Sequence, residues 1–552
     1  VTATLQASAD ADVAADGAEE EPATRSIPAA LAPWHDPHPW IGRLGTLVIA
    51  LIAGLTRFWA LGFPPGTNTV PKNGMMFDEV YYATEAQELL RYGYEDNRGY
   101  MFIVHPPLGK WLIAATEWVQ GAITGHHSST AYLENSLGWR VAPALFGCLG
   151  VVMMTRIVRR MMRSNFYGLL AGVLMTLEGM SLVLARTAIL DIFLQTFVIA
   201  AFGALVIDRD KLRARLGQLV ADGADLSHGV PTLGPRPWRL VGGVMLGLAA
   251  AVKWTGAYFF IAFVILTLVW DRAALKSAGV RRPTRSWARR ALLPGAGSLL
   301  VAPVAAYLLT YLGWFAGENG WNRHWADTHS ASTRLDLWGL RVPFTWGWVP
   351  SPLRSLGAYT LEAYRFHVGL DSGHAYASTP WSWLVLGRPV DFYYDASSTK
   401  CGASSCSREV LLIGTPLMWW AFVPMLLWLA WHWLTTRDWR AGAIWVAFIA
   451  GWLVWFLNLK RTMFLFYMAP LVPFLVIGLT MALGALIGPA VPALADARQR
   501  YRLLSRRYWG MAGASVFLAL VVADFIWMWP IFTGGLLTSD EWHAHMWLPS
   551  WV

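Results

Sequence analysis

Apolar residues in this chain gather into blocks about the length of a membrane crossing, with polar and charged residues between them. About 20 residues of helix cover roughly 30 Å of hydrocarbon, and a helix satisfies its own backbone where no water reaches. Such a chain folds as a polytopic helical bundle. Composition agrees: of 552 residues, 55% are hydrophobic and 14% charged, against roughly a quarter charged in a soluble domain. The formal net charge of +9 lies in Arg clusters between apolar blocks, as in cytoplasmic loops. No nucleic-acid-binding motif competes with that reading. The fold class is an all-α polytopic membrane protein.

Residues 1–40 read as a disordered cytoplasmic tail, rich in Ala, Asp, Glu and Pro and without signal-peptide regions. About eleven spans follow, near residues 44–61, 137–157, 166–184, 188–207, 240–251, 258–270, 292–314, 411–434, 441–459, 462–485 and 510–532. They form an N-terminal transmembrane module (41–314, first external loop 63–135) and a C-terminal four-helix module with a short Trp-rich external tail (411–552). A large external loop (315–410) separates the two. The half-apolar stretch 108–123 suits a helix lying in the interface. Strongly basic segments follow the second, fourth, sixth, eighth and tenth spans, so a cytoplasmic N-terminus places all five inside. The same parity puts Asp78-Glu79, Arg186, Lys253 and the Cys401–Cys406 loop outside, together with Lys460-Arg461.

Two adjacent carboxylates, Asp78 and Glu79, lie just past the first span. At a membrane edge such charges are solvated, paired or used. Arg140 lies near the outer end of the second span, while Glu178 and Asp191 fall within the third and fourth. Carboxylates and cations at an outer leaflet suit transfer from a lipid phosphate: a carboxylate takes the acceptor's proton and cations hold the departing phosphate. Each residue also has a plainer reading. Asp78 precedes a helix-like run, as an N-cap does. Adjacent helical residues point ~100° apart, which separates the roles of Asp78 and Glu79. Glu178, Arg186 and Asp191 could form an ion-pair network closing the third and fourth spans. His105, before two prolines, could only stiffen a loop, and Lys253 could snorkel to the interface. The Trp residues of the large loop suit interfacial packing. His324, His329, His367 and His374 follow no zinc spacing, and no metal site is assigned. Cys401 and Cys406 would join in an oxidising compartment, with two free thiols as the alternative.

Four motifs resemble the protein O-mannosyltransferase family in order and spacing. They are Phe77-Asp78-Glu79-Val80, Val104-His105-Pro106-Pro107-Leu108-Gly109-Lys110, Leu177-Glu178-Gly179 with Arg186 and Leu190-Asp191, and Val252-Lys253-Trp254-Thr255-Gly256. The second half is similar in its late spans and around His374-Ala375-Tyr376-Ala377-Ser378-Thr379-Pro380-Trp381. The large loop is too short for the β-trefoil insert of eukaryotic members, so the resemblance is to the bacterial, actinobacterial-type branch. It implies a GT-C glycosyltransferase architecture with the active site on extracytoplasmic loops of the bacterial plasma membrane. The implied reaction is inverting transfer of mannose from polyprenyl phosphate mannose to Ser or Thr hydroxyls of exported proteins. It also implies Asp78 as general base, Glu79 as a neighbouring essential carboxylate, and Arg140, Lys253 and Arg186 facing the donor phosphate. His105, Lys110, Glu178 and Asp191 complete the candidate site. The lipid-linked sugar is a substrate; no cofactor is assigned and metal dependence stays open. Membrane lipids and the secretion translocon are further candidate partners. Two rival readings are a related lipid-phosphate-sugar transferase acting on a glycan or lipid and, in a different class, a transporter or flippase.

Overall fold

The computed structural model describes residues 27–64, 74–96, 104–125, 127, 135–231, 234–290, 295–337, 340–396, 400–489 and 497–552. The N-terminal half runs α1 (Pro39–Phe58), α2 (Glu79–Tyr92), α3 (Leu108–Thr124), α4 (Leu137–Met162), α5 (Asn165–Thr176), α6 (Gly179–Leu184), α7 (Asp191–Ala221), α8 (Pro237–Val252), α9 (Gly256–Ser277) and α10 (Gly297–Leu309). A loop domain follows, with the hairpin β1 (Ser332–Leu337) and β2 (Leu340–Thr345), helix α11 (Ser351–Gly369), and strands β3 (Val390–Asp395) and β4 (Cys406–Leu412). The last helices are α12 (Pro416–Thr436), α13 (Trp439–Leu457), α14 (Leu465–Ile487) and α15 (Ala497–Thr533). The tail folds as β5 (Leu537–Thr538) and α16 (Ser539–His545).

Among the described residues, eight helices are long and apolar enough to cross a membrane: α1, α4, α7, α9, α12, α13, α14 and α15. Three shorter apolar helices, α5, α8 and α10, stand at the remaining expected spans. Proline at the first turn starts α1, α8 and α12, where its fixed φ and missing N–H cost nothing. The most deeply buried long helix is α7, with 83% of its apolar window inside the protein; α8, α9 and the start of α14 pack around it.

Three features depart from expectation. The third span is broken: Glu178 ends the run after α5 and caps α6, accepting from the Met180 and Ser181 N–H groups at 3.1 and 2.7 Å. Gly179 lets this break nest against neighbours, since a Cβ there would meet the Phe532 ring at 2.4 Å and the Ile413 carbonyl at 2.8 Å. The all-α expectation holds for the bundle but misses a small antiparallel sheet, β3-β4-β5. Its first strand, Val-Asp-Phe-Tyr-Tyr-Asp, is rich in strand-forming types, but its third comes from beyond the last helix, pairing Cys406 with Thr538 and Ser407 with Leu537. The tail is therefore folded onto the loop domain, where the Trp542 indole donates to Glu409 (2.6 Å) and the Trp551 indole to the Leu386 carbonyl (2.7 Å). Cys401 and Cys406 are joined as a disulfide beside β4. Finally, residues 31–36, expected within a disordered tail over 1–40, are packed on the bundle. Leu31 is fully buried against Leu212, Leu216 and Leu275, and Asp36 pairs with Arg159; residues 1–26 lie outside the described residues.

The segment before α2 is fastened to the bundle by one buried ion pair. Arg140 donates through Nε and Nη2 to the two Glu79 carboxylate oxygens at 2.8 and 2.7 Å, and both side chains have no exposed surface. The same guanidinium reaches the Phe63 and Gly74 carbonyls, each at 2.7 Å. Removing one partner of such a pair strands a charge away from water. Arg140→Ala should therefore destabilise the protein by about 3–5 kcal/mol, seen as a lower thermal midpoint of the detergent-purified protein, with Arg140→Lys recovering only part of the loss.

Candidate active site

A cavity of about 1320 Å³ opens between α2, the start of α7, the α8–α9 junction, α11 and the α13–α14 connection. Its polar wall includes Asp78, Glu85, His105, Asp191, Lys253, His367 and Arg461. These residues come from both halves of the chain. On α2 and its N-cap, Asp78, Tyr81, Tyr82 and Glu85 face the cavity together, the spacing of one helical face.

Asp78 occupies the N-cap position of α2, but its side chain makes no capping hydrogen bond. The capping reading therefore fails. Burial pushes the Asp78 carboxyl up to about 6; the Lys253 charge pulls it down, while Asp191 and Glu85 push it further up. Glu79, next to it, is wholly taken up by Arg140, by the Met76 N–H (2.8 Å) and by the Ala188 N–H (2.8 Å). Of the two adjacent acids, only Asp78 is open to the cavity.

Lys253 does not snorkel outward. Its ammonium pairs with Asp191 at 2.6 Å, bringing the α8–α9 junction against the start of α7. His105 and His367 stack with ring centroids 5.0 Å apart, and His367 Nε2 lies 2.8 Å from the Val104 carbonyl. Burial, reinforced by Lys253, His367, Lys110 and Arg461, holds His105 well below the usual imidazole range. Burial likewise lowers His367 to about 4, opposed by its bond to the Val104 carbonyl. Both rings are neutral near pH 7.

Arg461 supplies a second cation on this wall. Its guanidinium donates to the His367 carbonyl at 2.8 Å and the Tyr467 hydroxyl at 2.9 Å, and lies over the Trp455 and Tyr467 rings. It forms no ion pair among the described residues. Arg461, His367 and Glu85 were missed as site residues from sequence. The available signal was Lys460-Arg461 itself, a basic pair on the side that the positive-inside rule disfavours.

Four expected site residues lie elsewhere. Arg140 serves Glu79 and three loop carbonyls, so it does not face the cavity. Arg186 donates to the Arg57 and Ala60 carbonyls at 3.2 and 3.4 Å and also to that of Trp59, capping the orphan carbonyls at the end of α1. Glu178 caps α6 and accepts from the Trp419 indole at 2.8 Å. The expected Glu178–Arg186–Asp191 network is thus not formed: two members cap helices and the third pairs with Lys253. Lys110 has no exposed surface and pairs with Glu85 (2.8 Å) and Glu95, supporting the wall from behind.

Residues 47–315 match the dolichyl-phosphate-mannose-protein mannosyltransferase family, and residues 354–551 match the C-terminal four-transmembrane region of protein-O-mannosyltransferase. Over 543 residues the chain is 40% identical to the polyprenol-phosphate-mannose–protein mannosyltransferase of Mycobacterium tuberculosis (strain CDC 1551 / Oshkosh), covering 96% of this chain and 97% of that protein. The chain belongs to the protein O-mannosyltransferase family. A protein of the same description from Mycolicibacterium smegmatis (strain MKD8) is 40% identical, with 92% of each chain covered. The fold is shared with the S. cerevisiae protein O-mannosyltransferase complex bound to the sugar donor. There the TM-score is 0.68 at 16% identity, covering 93% of this chain and 92% of that one. This O-mannosyltransferase is accordingly a multi-pass GT-C membrane protein.

A base must be deprotonated to work, so a role for Asp78 as base predicts a pH dependence set by its raised carboxyl. The kcat/KM profile should show an acid limb near pH 6, with activity falling as pH drops through it. Asp78→Glu, if still active, should shift that limb.

Proposed function

We propose that this enzyme transfers mannose from polyprenyl phosphate mannose to Ser or Thr hydroxyls of exported polypeptides, at the extracytoplasmic face of a bacterial plasma membrane. Donor and membrane lipids supply one side of the site; unfolded chains leaving the secretion translocon supply the acceptor. The reading is carried by one observation: a single cavity holds Asp78, a carboxylate, and Arg461, a guanidinium, neither in an ion pair among the described residues, together with the Lys253–Asp191 pair. An acceptor hydroxyl is neutral and needs a base, whereas a lipid phosphate is anionic and needs a cation.

The reaction is a single displacement. Asp78 accepts the hydroxyl proton as the acceptor oxygen forms its bond to the anomeric carbon. The bond from that carbon to the phosphate oxygen breaks, and its electron pair leaves with the polyprenyl phosphate. Attack opposite the leaving group inverts the anomeric centre. Arg461 and Lys253 stabilise the charge gathering on the phosphate, and they do so in a site already assembled before reaction. Neutral His105 and His367 line the cavity without adding charge that would compete for the phosphate or the base. The sugar arrives activated by its own phosphate, so no nucleotide is required.

The test uses labelled polyprenyl phosphate mannose and a Thr-rich peptide with the full-length enzyme in detergent or membranes. Label should appear in the peptide; label confined to lipid or glycan would sink the protein-acceptor assignment. Asp78→Asn should lower kcat by about 10²–10⁴-fold, the usual worth of a general base, with the protein still folded. Arg461→Gln should reduce kcat/KM for the donor by roughly 10²-fold, the scale of losing one preorganised charge-stabilising donor.

A further inference from the structure

Phe77 has a φ of 47°, in the left-handed region that bulky side chains avoid because Cβ crowds the next carbonyl. Such a conformation persists where its surroundings over-determine it. Two sets of contacts do this here. On the backbone side, the Glu79 N–H donates to the Met76 carbonyl (2.9 Å) and the Met76 N–H donates to Glu79 Oε2 (2.8 Å), closing a turn with Phe77 and Asp78 in the middle. On the side-chain side, the Phe77 ring stacks on Phe392 with centroids 5.0 Å apart and planes 12° apart. It meets His374, Phe464 and Phe466 edge-on at 6.1, 5.9 and 5.9 Å. Offset-stacked and edge-to-face pairs are the favoured aromatic geometries.

The clamp is assembled from distant stretches. Phe392 lies on β3, Phe464 and Phe466 flank the start of α14, and His374 belongs to the segment after α11. Asp78 has no side-chain hydrogen bond of its own among the described residues. Its direction is therefore inherited from the backbone on either side: Glu79, locked by Arg140, and Phe77, locked by the four rings.

We propose that Phe77 is a positioning residue, whose ring, clamped by Phe392, His374, Phe464 and Phe466, holds the turn left-handed and aims the Asp78 carboxylate at the acceptor hydroxyl. The proposal rests on Asp78 being the base. It makes the C-terminal half of the chain responsible for the geometry of a base carried by the N-terminal half.

The experiment compares wild type, F77A, F77G, F77Y, F392A, the F77A/F392A double variant and D78N as purified full-length proteins. Readouts are kcat, donor KM, thermal midpoint and the pH dependence of kcat. F77A should lose roughly 10–10²-fold in kcat, the scale of misplacing a catalytic group by about 1 Å, with donor KM little changed. F77G, which eases the backbone but removes the ring, should lose as much, while F77Y should keep most activity. The acid limb of the F77A profile should move toward the ordinary carboxylate range as Asp78 leaves its buried setting. The double variant should be no worse than F77A alone, because both changes open the same clamp. Folded F77A or F77G with wild-type kcat, losses confined to KM or thermal midpoint, or multiplying effects of F77A and F392A would each overturn the positioning role. Unimpaired D78N, or wild type without mannosyl transfer, would instead remove the underlying reading of the site.

Discussion

The buried Glu79–Arg140 pair sets the terms for everything around the cavity. Glu79 receives four donors: two from Arg140, one from the Met76 N–H and one from the Ala188 N–H. That single carboxylate ties the segment before α2 to α4 and to the turn between α6 and α7. Two charges removed from water gain little net stability over a well-packed apolar alternative, but they specify one arrangement and penalise every misfit. The arrangement also divides two neighbouring acids by task. With Glu79 fully occupied, Asp78 faces the cavity instead, without an ion pair among the described residues and raised by burial. A helical offset of ~100° between successive residues makes that split possible.

Charges around the cavity are matched in pairs until one of each sign remains. Lys253 is matched to Asp191, and Lys110 to Glu85 and Glu95. Among the described residues, Asp78 and Arg461 are left over. The histidines that could have added positive charge are held neutral by burial, and aromatic rings fill much of the remaining wall. Fixed charges in poorly hydrated surroundings act strongly, because little solvent reorganises to oppose them. On the proposed reading, the two left-over charges are a base for a neutral hydroxyl and a cation for a phosphate.

Much of this was legible in the residues, and the remainder was hidden for identifiable reasons. Span positions follow from local hydropathy, so α1, α4, α7 and α9 fall where the apolar blocks place them. Asp78, His105, Asp191 and Lys253 do meet on one wall, as their unusual polarity at the span ends suggested. Arg140 turns away from the cavity toward a partner 61 residues away, and nothing in the local pattern separates a cation that holds a carboxylate from one that awaits a phosphate. Glu178 was hidden differently: Glu is not among the preferred N-cap types, so its sequence context did not announce a cap. His367 and Phe392 join the site only through ring contacts between distant stretches, His367 on His105 and Phe392 on Phe77, and Arg461 follows through its bond to the His367 carbonyl. The sheet escapes a sequence reading because β3 and β4 lie within an irregular polar loop and β5 is only two residues long, beyond the last membrane helix.

That third strand has a consequence for how the protein is made. β5 pairs with β4 across a stretch that includes all four C-terminal helices. The loop domain, which carries Phe392 and so one wall of the Phe77 clamp, gains its last partner only after α15 has been threaded through the bilayer. Completion of the β3-β4-β5 sheet therefore depends on the segment that follows α15, although Phe392, the ring on that sheet that clamps Phe77, precedes all four C-terminal helices.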